Sequence, residues 1–350
     1  LNHLQGLKHC LTESTRTMHF IVLGSGAIGC YVGGRLAAAG QRVTLVGRPR
    51  TIDPLRAGGL TVTDLDGFSA HVAGGQLGLA TALDAAMFRE PAIVLLCVKG
   101  GATISACSEL AAVCPAGTTV ISLQNGVDNV DRIVQSAPGL NAVAGMVPYN
   151  VVMPEPCKAH RGTTGELYLR STPATTLIQA ALQQAGLPVQ LVDDMLSVQW
   201  GKLLLNLNNP VNALSDMPLR AQLMVRGYRR AVAAMQIEAL SVLDKAGIAP
   251  AKVATAPPRL LPHILRLPDW WFTRIAARML RMDENARSSM WDDVQLGRTT
   301  EIDDLCGAVV RLGATHGVPT PTNSAMCALI KTHRAGKSMT ADELCRALGI

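Results

Sequence analysis

Residues 19–40 read HFIVLGSGAIGCYVGGRLAAAG. After His19, four apolar residues run into a glycine turn, and an alanine-rich stretch with helical spacing follows as far as Gly40. The pattern GxGxxG says little by itself in a chain with 32 glycines. Placed between a strand and the start of a helix, it acquires a physical meaning. Gly24 permits a tight turn, Gly26 lets the backbone approach a pyrophosphate, and Gly29 lets helix and strand pack closely. The helix N-terminus then faces the phosphates, so Gly24, Ser25, Gly26, Ala27, Ile28 and Gly29 form the expected cradle.

The following strand, QRVTLVGRPR at 41–50, bears on the choice of dinucleotide. Selection of NAD commonly uses an acid about 20 residues beyond the first glycine, bonded to the ribose 2′-hydroxyl. The window here reads TLVGR, with no acid and with Arg48 at the strand end. A guanidinium there suits a 2′-phosphate, so the expectation is NADP(H).

More strands are expected from REPAIVLLCVKG, with Ile93–Val98 ending at Lys99, and from PAGTTVISLQNG, with Thr119–Leu123 ending at Asn125. Continuous aliphatic runs suit parallel strands buried on both faces. Ligands of open α/β sheets bind outside the carboxyl ends of such strands, where Lys99 and Asn125 fall. Asn-Gly is equally a common turn pair, and that reading stays open. NAVAGMV and GELYLR supply later strands, which carries an α/β domain with a doubly wound parallel sheet over 18–192.

From 193 to 350 the apolar period becomes helical, as in QLMVRGYRRAVAAMQIEALSVLDKAG, TRIAARMLRM, EIDDLCGAVVRLGATHG and SAMCALIKTHRAG. A mainly α-helical second domain is expected. Its most informative stretch is WGKLLLNLNNPVNAL at 200–214. Read as one helix, it puts Lys202, Asn206 and Asn209 on one narrow face, with leucines around the rest. A helix apolar almost all round is buried, so its polar stripe must meet something polar. A structural network would satisfy it, and so would a substrate. Farther on, ARSSMWDD carries Ser288 and Ser289, and LGRTTEIDDLCG carries Glu301. Read singly, serines cap helices and an acid after two threonines favours a helix's first turn. Trp270 and Trp271 are expected in the core, with a hydrophobic rim on the cleft as the alternative.

Composition narrows the functional classes. Hydrophobic residues make up 48% and charged residues 17%, which excludes disorder. The net charge of +6 is mild, and no Lys/Arg run resembles a nucleic-acid arm. Nine dispersed cysteines without a CxxC pair fit free thiols in a reducing cytosol, and no metal-ligand spacing occurs. No uncharged apolar run reaches membrane-spanning length. Residues 1–17 lack a signal-peptide core and read as a loose N-terminal extension before Met18. The expectation is therefore a cytoplasmic enzyme with no nucleic-acid or membrane partner. Long amphipathic helices in the second half are compatible with a homodimer.

Taken together, GSGAIG, the strand ending in Arg48, VKG at Lys99, QNG at Asn125, the WGKLLLN helix, SSM and TTEID resemble the ketopantoate reductase (2-dehydropantoate 2-reductase) family. The resemblance runs from about Met18 to the C-terminus. It implies a Rossmann domain, a helical domain and an active cleft between them. It implies NADPH-dependent reduction of 2-dehydropantoate to pantoate, a step toward pantothenate and coenzyme A. Carried over by position, Lys202 matches the general acid, and Asn206 and Ser289 match substrate-binding residues. Glu301 matches the carboxylate beside the reacting oxygen and the cofactor, while Lys99 and Asn125 match residues on the nicotinamide side. Hydride delivery to a ketone carbon creates an alkoxide, which needs a proton donor. Burial in a leucine-rich helix would move the lysine pKa toward neutrality, and a nearby carboxylate would oppose that shift while holding the ammonium in place.

Three departures stand out. Asn209 lies seven residues after Lys202, where the family commonly has an asparagine at eight, and Asn208 and Asn212 compete for its role. Leu219 occupies a position where a polar contact is expected. The stretch around Trp270 is unlike a compact family member. These differences fall on the substrate side. A reductase of another, bulkier 2-keto acid is thus the first alternative, and a non-catalytic NADP(H)-binding regulator is the alternative from a different class.

Overall fold

The computed structural model describes residues 17–253, 256–277, 280 and 284–350. Residues 1–16 of the expected N-terminal extension lie outside the described residues. Two compact units emerge, one from the chain up to Gln124 with Asn129–Met195, the other from Asn125–Asp128 with Leu196–Ile350.

Among the described residues, twelve strands belong to the first unit. In chain order they are β1 (His19–Leu23), β2 (Arg42–Val46), β3 (Leu60–Asp64), β4 (Ser69–Val72), β5 (Gly78–Ala80) and β6 (Ala92–Leu96). Then come β7 (Thr119–Ser122), β8 (Asn141–Met146), β9 (Val151–Glu155), β10 (Lys158–Arg161), β11 (Leu167–Arg170) and β12 (Val189–Val192). Eight of them form one sheet in the order β12-β11-β8-β7-β6-β1-β2-β5. Every residue of β1 is buried, as the continuous apolar run requires. Its neighbours β2 and β6 both run parallel to it, in registers Phe20↔Val43 and Phe20↔Ile93. The chain leaves β1 toward β2 on one side and returns to β6 on the other. That reversal opens the ligand crevice of doubly wound sheets at the carboxyl ends of β1 and β6.

Two features depart from an all-parallel reading. β11 pairs antiparallel to β8, and β12 follows β11 in parallel. A separate four-stranded sheet runs β4-β3-β10-β9. Its strands are short and partly exposed, so they carry little apolar signal. This small sheet is tied to the helix after the glycine turn (Ala27–Ala38) by Arg35, which donates to Asp64 Oδ2 at 2.9 Å and to the Ala185 carbonyl at 2.8 Å. Asp64 also accepts from Arg161 at 3.2 Å and from the Asp66 and Phe68 amides. Burial opposes its ionisation. The two amides and both guanidiniums outweigh burial and hold the carboxyl below its usual range.

The second unit is helical, around the long helix Arg226–Ala246. Its core is aliphatic, with Leu203, Leu204, Leu207, Val211, Met235, Val242 and Val309 all essentially buried. Three expected helices end differently in space. The 200–214 stretch is two helices, Met195–Asn206 and Asn208–Ser215, separated at Leu207. Pro210 explains the interruption, because it has no N–H for the Asn206 carbonyl and its ring crowds that carbonyl. Gln236 Nε2 donates to the Leu204 carbonyl at 2.9 Å, satisfying a group beside the break. The 222–247 stretch is likewise divided at Val225, which has extended backbone. Fully buried Arg229 gathers the loose ends, donating to the carbonyls of Leu223, Leu265 and Leu267 and to Asp269. The helix expected over 273–282 ends at Ile275, and 278–279 and 281–283 lie outside the described residues.

Trp270 and Trp271 are not core residues. They stack at 4.3 Å and are 59% and 45% exposed, because Phe272 takes the buried position of their short helix. Among the described residues no helix is long and apolar enough to cross a membrane, and no three metal-ligating side chains cluster.

Candidate active site

In the first unit the three motif glycines do three different things. Gly24 has φ +111°, and a Cβ there would lie 2.6 Å from the backbone of Cys97 and Val98 just beyond β6. A Cβ on Gly29 would lie 2.1 Å from the Gly24 carbonyl oxygen. Both are demanded by the turn's own packing. A Cβ on Gly26 meets nothing within 4 Å. Open space there, at a helix N-terminus with no side-chain cap and no acid in its first turn, is what an approaching pyrophosphate needs. The turn therefore fits a dinucleotide.

The end of β2 meets this turn directly, since a Cβ on Gly47 would fall 1.6 Å from Ser25 Oγ. Arg48 follows at once, exposed, as the residue before a helix that opens with Pro49. Lys99 is exposed beyond β6 and precedes the short turn Gly100–Ala102. Gln124, which the sequence reading passed over, knits the β6 and β7 ends together. It donates to the Val98 carbonyl and to Thr103 Oγ1, both at 2.8 Å.

In the second unit, Asn206 Nδ2 donates to Asn125 Oδ1 at 3.4 Å, and Asn125 Nδ2 donates to Glu301 Oε2 at 3.0 Å. A line of amides thus runs from the Lys202 helix to a carboxylate. Glu301 begins a 3-10 turn without a side-chain cap bond. The helix-start role read from its sequence context is therefore not its use, since its carboxylate faces Asn125. Lys202 lies one helical turn before Asn206 and is half-buried, and burial pushes its pKa down to about 8. The helix is seated closely here, because a Cβ on Gly201 would lie 2.2 Å from the Ala251 carbonyl oxygen.

The three rival asparagines separate cleanly. Asn208 and Gln222 exchange amide bonds, with Gln222 Nε2 donating to Asn208 Oδ1 at 2.8 Å. Asn212 is fully buried, donates to the Met217 carbonyl at 2.8 Å and accepts from the Ser288 amide at 2.9 Å. Asn209 is half-buried, and its side-chain amide has no hydrogen-bond partner among the described residues. Its backbone carbonyl accepts from Ser288 Oγ at 3.3 Å. The serine pair divides in the same way. Ser288 is the buried cap of Ser289–Gln295, accepting from the Trp291 amide, while Ser289 is exposed. Leu219 is half-buried, and its amide bonds to the Ala286 carbonyl at 2.8 Å. No sequence signal distinguishes Ser288 from Ser289 or marks Asn212 as structural.

A doubly wound sheet with an open glycine turn, joined in one chain to a helical unit bearing a desolvated lysine, defines a two-domain dinucleotide-dependent oxidoreductase. Comparison with known proteins agrees. The ketopantoate reductase PanE/ApbA pattern matches residues 20–173, and its C-terminal counterpart matches 194–334. The chain belongs to the ketopantoate reductase PanE/ApbA family. A 2-dehydropantoate 2-reductase of Pyrococcus horikoshii is 25% identical over 321 residues, covering 90% of this chain and 97% of its own. A PanE/ApbA family ketopantoate reductase structure from Ralstonia eutropha superposes with a TM-score of 0.76 at 29% identity, covering 90% and 97% of the two chains. A D-mandelate dehydrogenase solved with NADH and anilino(oxo)acetate shares the fold, with a TM-score of 0.73 at 18% identity, covering 95% and 100%.

Proposed function

We propose that this protein reduces 2-dehydropantoate to pantoate with NADPH, a step toward pantothenate and coenzyme A. The observation that carries the reading is Lys202, half-buried and depressed to about 8 by burial, one turn from the Asn206–Asn125–Glu301 line. A lysine with its pKa near the working pH gives up its proton readily, and a lysine at its ordinary pKa does so poorly. When bound, the dinucleotide supplies the hydride. Lys202 donates a proton to the substrate oxygen as that oxygen becomes an alkoxide. Glu301 holds Asn125 oriented, and Asn206, Asn209 and Ser289 offer donors and acceptors to the hydroxyl, keto and carboxylate oxygens of the substrate. Arg48 takes the 2′-phosphate, and Lys99 adds positive charge on the cofactor side.

A second reading keeps the chemistry and changes the substrate. Leu219 places a half-buried apolar side chain where a polar contact is expected. A relative of the same fold, D-mandelate dehydrogenase, binds an aromatic oxoacetate with NADH. Both favour a bulkier 2-keto acid. The test is the steady-state oxidation of NADPH and NADH by purified protein with ketopantoate beside branched and aromatic 2-keto acids. A kcat/KM highest for ketopantoate with NADPH supports the first reading. Turnover only on bulkier acids supports the second. No oxidation with any acid leaves a dinucleotide-binding regulator as the reading of choice.

A further inference from the structure

Ser289 is exposed at the first turn of a short helix, and nothing in that helix alone holds its hydroxyl in place. What holds it lies next door. The Ser288 amide donates to Asn212 Oδ1 at 2.9 Å, and Ser288 Oγ donates to the Asn209 carbonyl at 3.3 Å. Two bonds from one residue thus clamp the start of the Ser289 helix onto the helix Asn208–Ser215. Asn212 is itself pinned, because its Nδ2 donates to the Met217 carbonyl at 2.8 Å and approaches Gln222 Oε1 at 3.4 Å. Gln222 in turn holds Asn208. Both amide hydrogens of the fully buried Asn212 and its carbonyl oxygen are therefore engaged inside the protein.

We propose that Asn212 is a positioning residue, which never meets substrate and fixes the Ser289 hydroxyl in register with the Asn209 amide. The proposal rests on the keto-acid reading above. Asn209 and Ser289 stand on different helices, 80 residues apart in the chain, and the Ser288 clamp makes them one rigid subsite. A clamp of this kind acts on substrate binding and leaves the proton donor and the dinucleotide turn untouched.

A double-mutant cycle tests it, with Asn212→Ala, Ser289→Ala and the double variant assayed on the full chain. The expected result is a rise in the keto-acid KM of roughly tenfold in each single variant, with kcat changed by less than about threefold. The KM for NADPH stays constant. The double variant is no worse than the poorer single variant, because Asn212 acts only through Ser289. A double variant whose KM rises by the product of the two single effects overturns the proposal. So does an Asn212→Ala change that lowers kcat and raises both KM values in parallel with a loss of thermal stability. Should Asn212→Ala fail to fold, Asn212→Leu, which keeps the side-chain volume and removes the acceptor for the Ser288 amide, enters the same cycle with the same expectation. A wild-type protein that turns over no keto acid defeats the functional reading itself, and the proposal falls with it.

Discussion

Asn125 Nδ2 donates to Glu301 Oε2 at 3.0 Å, a contact between residues 176 positions apart in the chain. Asn125 stands in the QNG turn after β7 and belongs to the helical unit, as Glu301 does. The bond explains why a half-buried acid stands at the mouth of a 3-10 turn without capping it. Glu301→Gln keeps an acceptor for Asn125 and removes the charge. The expected outcome is a fall in kcat of about tenfold with near-native thermal stability, because a neutral amide accepts from Asn125 more weakly than the carboxylate does and Asn125 is held less firmly. Activity within twofold of wild type in steady-state assays would reduce Glu301 to a hydrogen-bonding partner.

Lys202 supports a prediction with a definite sign. Its pKa falls from the ordinary lysine value to about 8 in the folded protein because burial penalises the charged form. Below pH 8 both folded and unfolded chains carry the proton, and the folded one bears the full cost, about 3 kcal/mol. Between about 8 and 10.4 the unfolded chain binds more protons, so stability rises with pH through that window. Lys202→Met should be more stable than wild type at pH 7, by up to about 3 kcal/mol, and should lose this rise. Its kcat should fall by about 10²–10⁴-fold. Wild-type kcat should decline as pH rises through about 8. Urea titrations at pH 7 and 9.5, with a pH–rate profile, check all three.

Gly26 and Gly29 should fail in opposite ways. At Gly29 an added Cβ would sit 2.1 Å from a backbone oxygen, so Gly29→Ala should destabilise the first unit by a few kcal/mol, roughly. At Gly26 the Cβ has free space, so Gly26→Ala should melt normally and bind NADPH at least tenfold more weakly. Thermal melts beside fluorescence titration of NADPH separate the two cases.

Arg48 should decide between the two dinucleotides. Arg48→Ala should raise the KM for NADPH by about 10- to 100-fold and leave that for NADH within about twofold, since only the former carries the 2′-phosphate. Equal effects on both would assign Arg48 to the ribose or the adenine, with no 2′-phosphate role.

Local features were legible without coordinates. The strand, turn and helix at 19–40 were readable because apolar period and glycine positions are properties of neighbouring residues. The helical character of the second half was readable for the same reason. So was the polar stripe of Lys202 and Asn206, whose spacing survives because both precede the break at Leu207. Asn209 lies beyond that break, and its place follows from Pro210 and the next helix. The small sheet of β3, β4, β9 and β10 escaped notice because its short strands bring together segments nearly 100 residues apart, as Thr61 and Lys158 are. The antiparallel run of β11 beside β8 depends on pairing partners and leaves no mark on either strand.

The sequence by itself determined the dinucleotide turn, the missing acid near Arg48 and a lysine on a leucine-rich helix. Each of these is encoded within a single element. Tertiary structure alone decided that Asn125 serves Glu301, that Asn208 and Asn212 are consumed by internal bonds, and that Ser288 is the buried cap beside an exposed Ser289. The physical reason is that a polar side chain has the same chemistry wherever it stands. Whether it is spent inside the protein or offered to a ligand depends on which distant donors and acceptors folding brings within about 3 Å of it.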